Sequence, residues 1–185
     1  NAGELDFAGA NELELRYAVT GTEYFKGQPM PDLRVVSVLL PLRTAIFVKK
    51  DSPYKSVKDL KGKRFSSDYS AQQIVNLIAT GILANAGLTW NDMKRVPVPN
   101  VNRGADDFMA GKVDAFFFDV VSGKVQEAAA AVGGLRALPI DPAPEAMARF
   151  REHMPVAYAY LMQPSPAVPS IVEPTYVSAF DLVLV

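Results

Sequence analysis

The chain has 185 residues, 49% hydrophobic and 21% charged, the balance of a protein that folds around at least one buried core. A formal net charge of −1 and a pI near 5.9 provide no basic field, which argues against nucleic acid or an anionic membrane as a partner. The absence of cysteine excludes disulfides, thiol catalysis and sulfur-ligated metals, and leaves the compartment open.

Gly3-Glu4-Leu5-Asp6-Phe7 reads as a turn entering a strand, and Asn11 as the N-cap of a short helix through Tyr17. A polar segment with Gly21, Gly27, Pro29 and Pro31 follows, then two apolar strands, 34–40 and 44–50, on either side of Pro41. Ser56 caps the turn over 57–60, and Gly62 supplies the left-handed geometry that ends it. From Lys63 the pattern is regular. A strand over 63–66 precedes a helix over 70–86, whose Ile74, Leu77, Ile78, Ile82 and Leu83 recur at helical spacing, with Gly87 where a left-handed cap belongs. A strand over 94–98 leads to a helix ending before Gly111, a strand over 113–118 to a helix over 122–131, and a strand over 135–140 closes the series. After a helix over 143–152 comes a proline-rich stretch with Pro155, Pro164, Pro166, Pro169 and Pro174. Tyr158, Tyr160, Leu161 and Ile171 make it too apolar for a free linker, so an ordered connection is expected. The last nine residues, VSAFDLVLV, read as an apolar strand with no partner behind it, so the chain is expected to be a piece of a longer protein.

The order βαβαβαβ predicts an α/β fold, a doubly wound and mostly parallel sheet, with the run Ala115-Phe116-Phe117-Phe118 as a strand buried on both faces. Open parallel sheets bind ligands outside the carboxyl ends of their strands. Those ends are the loops 66–70, 99–102 and 119–122, all rich in small polar groups, which makes a small polar ligand the expected cargo. In Ser66-Ser67-Asp68-Tyr69-Ser70-Ala71-Gln72 the hydroxyls, the ring and the free amides of the next helix are expected to face one place, a seat for a carboxylate; the competing reading is an ordinary serine cap. Asp68 argues against a bare anion there and would face an ammonium or hydroxyl, or turn outward. Asn102, Asp119 and Ser122 complete the set on the other two loops.

Catalytic signatures are missing: there is no Gly-x-Ser-x-Gly elbow, no Walker loop and no Gly-x-Gly-x-x-Gly after a strand. His153, the single histidine, lies near a predicted helix end and is expected to face the helix dipole rather than serve as a base or a metal ligand. Of Asp106 and Asp107, adjacent on a helix, one is expected to cap or solvate the helix start and the other to be exposed. Thr89, Trp90 and Asp92 read as a capped turn packing on the core, and the lysines between Lys49 and Lys63 as a solvated surface. No enzyme activity, cofactor or metal is therefore expected.

Several stretches in order, GELDF, LRVVSVLLPLRTAIFVKKDSPYKSVKDLKGKRF, LANAGLTWNDMKRVPV, ADDFMAGKVDAFFF and GGLRALPID, resemble the extracytoplasmic solute receptors of tripartite ATP-independent periplasmic (TRAP) transporters, specifically the TAXI family. The resemblance covers most of the chain; SVKDLKGKRF alone is shared widely among two-lobed periplasmic binding proteins. It implies two α/β lobes joined by crossing strands that close on a ligand. Residues 1–43 would be the last part of the first lobe. Residues 44–185 would be the second lobe with its crossover strands, 44–50 outgoing and 177–185 returning. It also implies a periplasmic location and membrane transporter subunits as partners.

Relatives commonly carry a glycine-rich loop where this chain has SSDYSAQQ, so Tyr69 would narrow the pocket and the hydroxyls of Ser67 and Ser70 would replace backbone donors. Asn11 and Glu12 stand where relatives place polar residues at the cleft edge, and Arg43, just before the crossover strand, is placed to pair with a carboxylate or with a surface partner. The expected function is capture of a small organic acid or acidic amino acid, glutamate-like or 2-oxoglutarate-like, for delivery to a TRAP transporter. Two alternatives stay open: an enzyme on the same fold with its catalytic residues elsewhere, and an effector-sensing domain of a transcription regulator.

Overall fold

The computed structural model describes residues 5–185. The turn expected at Gly3 and Glu4 lies outside the described residues. The chain divides into two compact units, Asn1–Leu42 with Ala179–Val185, and Arg43–Ser178.

In the first unit, β1 (Gly9–Asn11) lies antiparallel to the end of β8 (Thr175–Leu184), with Gly9 opposite Leu184 and Asn11 opposite Leu182. The terminal strand thus has a partner, contrary to expectation. Asn11 ends β1 and caps α1 (Glu12–Thr20), its Oδ1 accepting the Glu14 amide at 2.8 Å. The two strands expected around Pro41 are one, β2 (Ser37–Lys49). Proline is tolerated because the ladder from β2 to β5 (Phe116–Asp119) begins only at Thr44, so that side of Pro41 needs no N–H. An apolar hollow of about 430 Å³, lined among others by Phe7, Leu15, Ala18, Phe25, Met30 and Leu33, belongs to this unit alone.

The second unit is built on the predicted alternation. Ser56 opens a short 3-10 turn over Val57–Leu60, its own amide held by Asp59 Oδ2 at 2.8 Å, and Gly62 turns the chain at φ 75° into β3 (Arg64–Ser67). There follow α2 (Gln73–Asn85), β4 (Lys94–Pro97), α3 (Val101–Met109), β5, α4 (Gly123–Val132), β6 (Leu135–Leu138), α5 (Pro144–Arg151) and β7 (Tyr158–Met162). The ordered connection expected in the proline-rich stretch contains β7, which pairs with β8, and continues through 163–174 as turns and irregular chain.

β3 and β4 are parallel, and β3 meets the chain just before β5 through a parallel bridge from Phe65 to Ala115. Both β5 and β6 run antiparallel to β2, which is inserted between them, Ile46 facing Phe117 on one side and Leu138 on the other. The α/β expectation is met, but the expected mostly parallel sheet is not: β1–β8, β2–β5 and β2–β6 are antiparallel, while β3–β4 and the Phe65–Ala115 bridge are parallel. The phenylalanine run of β5 has an antiparallel neighbour, because an apolar run reports burial on both faces and carries no information on the direction of the strand beside it. β2 is itself buried from Ala45 to Val48.

Phe116 of β5 is fully buried between Phe47 and Phe108, ring centroids 5.4 and 4.7 Å away, at the centre of the core that α3 and α4 cover. On the other face α2 packs against α5, where Gly81 lets the Phe150 ring approach. Trp90 packs as expected: it stacks on Phe65 at 5.7 Å, donates to Thr80 Oγ1 at 2.8 Å, and follows a Thr89–Asp92 capping box.

Candidate functional site at the carboxyl ends of the strands

Because β3 and β4 are parallel with Ser67 opposite Pro97, and β3 and β5 are parallel at Phe65 and Ala115, the three carboxyl ends lie on one edge of the unit. β2 starts its ladder there from the opposite direction: Thr44 faces Asp119, and the Arg43 carbonyl accepts the Val120 amide at 2.8 Å. The loops that follow are tied together. Ala71 donates its amide to the Pro99 carbonyl at 2.8 Å, Ser70 to that of Val98 at 3.4 Å, and Gln72 Oε1 accepts the Val101 amide at 2.9 Å. Lys124 of α4 reaches Asp106 of α3 at 2.7 Å.

These bonds explain why α2 starts three residues later than its sequence suggests. The amides of Ser70 and Ala71 are committed to the end of β4, and that of Gln72 to the Tyr69 carbonyl at 3.1 Å, so the helix can begin only at Gln73. They are not free for a ligand. Among the described residues, the helix-start amides without a protein acceptor at this edge are those of Gln73 and Ile74 in α2, Asn102 in α3 and Gly123 in α4. The other amides of the α3 start are bonded: Val101 to Gln72, and Arg103 to Asn100 Oδ1 at 2.9 Å. In α4, Ser122 Oγ accepts Lys124 N at 3.2 Å. Sequence reasoning overlooked Gln73, Ile74 and Gly123 as donors because their availability depends on helix boundaries that tertiary bonds set.

Ser66 and Tyr69 are fully buried and bonded to each other, Oγ to hydroxyl, at 2.9 Å. Burial pushes the Tyr69 phenol above its ordinary value, against the weaker pull of Ser66. Its amide donates to Asn76 Oδ1 at 3.1 Å, so Tyr69 fixes the loop from beneath and does not narrow an open pocket with its ring. The Ser67 hydroxyl is likewise internal, donating to Asp68 Oδ2 at 2.9 Å. Asp68 sits at φ 54°, a left-handed conformation uncommon outside glycine, and is paired with Arg95. Ser70, Ala71, Gln72 and Asn102 are exposed. Asp119 is mostly buried, which raises its carboxyl above the ordinary value; the Val121 amide, donating to Oδ1 at 2.7 Å, and the charge of Arg43 oppose that rise. Asn11 and Glu12 belong to the first unit, where Asn11 is spent as a helix cap.

Two further expectations change. Asp107 is buried and held by Arg103 at 3.2 Å and Lys112 at 3.1 Å, while the exposed Asp106 takes Lys124; neither caps α3, a task that Asn100 performs. Among the described residues no cluster of acidic groups and histidine is arranged to hold a metal, and no helix is long and apolar enough to cross a membrane.

Gly104, in the first turn of α3, allows this junction to close: a Cβ there would lie 3.1 Å from Ser66 Oγ and 3.2 Å from its Cβ. Gly104→Val is expected to lower unfolding free energy by about 1–3 kcal/mol through overpacking. Urea titration checks it, and an unchanged midpoint would mean that Ser66 and Tyr69 can shift without cost.

A model of the NMT1-like family matches residues 1–166. The chain belongs to the NMT1-like family. The periplasmic aliphatic sulphonate binding protein SsuA from Escherichia coli is 27% identical over 75% of this chain and 43% of its own, with a TM-score of 0.52. A TctC solute binding protein from Polaromonas is 13% identical, covering 96% of this chain and 56% of its own, with a TM-score of 0.54. This NMT1-like chain therefore has the fold of periplasmic solute-binding proteins, and spans between 43% and 56% of the length of these two.

Proposed function

We infer that this NMT1-like protein is an extracytoplasmic solute receptor that captures a small organic acid or acidic amino acid and hands it to the membrane subunits of a TRAP transporter of the TAXI type, without covalent chemistry. The observation that carries this is the single edge where the starts of α2, α3 and α4 leave amides of Gln73, Ile74, Asn102 and Gly123 unbonded, each at the positive end of a helix dipole. Ser70, Gln72, Asn102, Asp119 and Ser122 surround those amides, with Ser66, Ser67, Asp68, Tyr69 and Ala71 shaping the loop. In this reading residues 44–185 form one lobe with its crossover strands, residues 1–43 with Asn11 and Glu12 belong to the other, and the protein works in the periplasm. The fold shared with periplasmic solute-binding proteins supports capture over turnover.

A second ligand chemistry is favoured by one observation: the 27% identity to a protein whose name gives aliphatic sulphonates as its ligands. A thermal-shift panel of glutamate, 2-oxoglutarate, succinate and ethanesulfonate decides. A ligand at 100 times its dissociation constant adds about 2.7 kcal/mol to stability and raises the melting temperature accordingly. Shifts with the carboxylic acids alone support the proposal, a shift with ethanesulfonate alone replaces the ligand class, and a flat response to all four removes the acid-binding assignment.

A further inference from the structure

Arg43 differs from the other arginines of the second unit. Arg64, Arg95, Arg103 and Arg136 are paired with Asp114, Asp68, Asp107 and Glu173, and Arg149 and Arg151 donate to backbone carbonyls. Arg43 has no acceptor among the described residues. Its Nε is buried and unbonded, and its guanidinium lies over the Tyr160 ring, 5.7 Å from the centroid. Tyr160, on β7, packs against the core, so the platform is fixed. Asp119, whose carboxyl feels the charge of Arg43, bonds the Val121 amide at 2.7 Å and forms no ion pair with Arg43.

A guanidinium lying over an aromatic face keeps the N–H donors of its two terminal nitrogens in its own plane, the geometry that grips a two-oxygen anion. Arg43 stands at the edge where the loops gather, beside Asp119 and two strand positions from the Ser122 turn. We propose that the Arg43 guanidinium, held on Tyr160, takes the oxyanion head group, carboxylate or sulfonate, of the ligand. This rests on the receptor reading above and deepens it: the cation that neutralises the acid belongs to β2, and the helix starts receive the ligand's other polar groups.

The test is calorimetric titration of the protein, Arg43→Lys and Arg43→Met with 2-oxoglutarate, glutamate and ethanesulfonate. Alongside it the ¹⁵N–¹H resonance of Arg43 Nε, assigned by its loss in Arg43→Met, is followed in the parent. Binding is expected to weaken at least about tenfold in Arg43→Met, as befits losing a hydrogen-bonded charge, and less in Arg43→Lys, while the ligand-free melting temperature does not fall because no native partner is orphaned. Whichever acid binds, carboxylate or sulfonate, names the head group. Equal affinity in the parent and Arg43→Met overturns the assignment of Arg43 and leaves the receptor reading standing. If no acid binds the parent, the receptor reading for acids falls, and the resonance decides Arg43 separately: movement with sodium acetate but not sodium chloride supports an oxyanion seat, and immobility overturns it.

Discussion

Phe116→Ala is expected to cost about 3–5 kcal/mol of unfolding free energy, the range for emptying an aromatic site that cannot collapse. Phe116 is fully buried, and its neighbours Phe47 and Phe108 come from β2 and α3, two elements that cannot move toward the gap without breaking the β2–β5 ladder or lifting α3. The cost should appear in urea titrations as a lower midpoint with an unchanged slope. Leu161→Ala, at 43% exposure on β7, serves as the control and should stay within about 0.5 kcal/mol. A loss below about 1.5 kcal/mol for Phe116→Ala would mean that this aromatic cluster is not the core of the unit. The substitution also bears on the site, because β5 carries Asp119 at its end and holds Arg43 through the Val120 amide.

Gly81→Ala comes next in size, and its sign runs against helix propensity. Alanine in place of glycine within a helix ordinarily gains up to about 1 kcal/mol. Here the new Cβ would sit 2.2 Å from Phe150 Cδ2 and 2.4 Å from Cε2, inside any real separation, and Phe150 is fully buried on α5. α2 and α5 must part, or the ring must leave its rotamer, so a net loss of about 1–3 kcal/mol is expected. Pairing Gly81→Ala with Phe150→Leu should recover part of that loss as a favourable coupling. Simple additivity of the two changes would show that the helices are not held at contact by this pair.

Much of the architecture could be read directly. The helical spacing of Ile74, Ile78 and Ile82, the positive φ of Gly62 and Gly87, and the capping boxes of Ser56–Asp59 and Thr89–Asp92 depend on neighbours within a few residues, and they appear where local chemistry places them. The edge that gathers the loops was legible for the same reason: parallel strands joined by helices must put their carboxyl ends together. The resemblance in the strand and helix motifs reached the fold of periplasmic solute-binding proteins, while the family that residues 1–166 match is the NMT1-like one and does not single out the TAXI type.

What the chain's order of residues determined by itself was therefore the alternation of strands and helices, several of their caps, and the edge where the carboxyl ends of β3, β4 and β5 gather, because each follows from short-range sterics and backbone hydrogen bonding. Tertiary structure alone decided the insertion of β2 between β5 and β6, the inward turn of Tyr69 onto Ser66, the late start of α2, and the solitary guanidinium of Arg43. Each of these depends on which distant group supplies or withholds a hydrogen-bond partner, and the partners are as far apart in sequence as Ala71 and Pro99, or Arg43 and Tyr160.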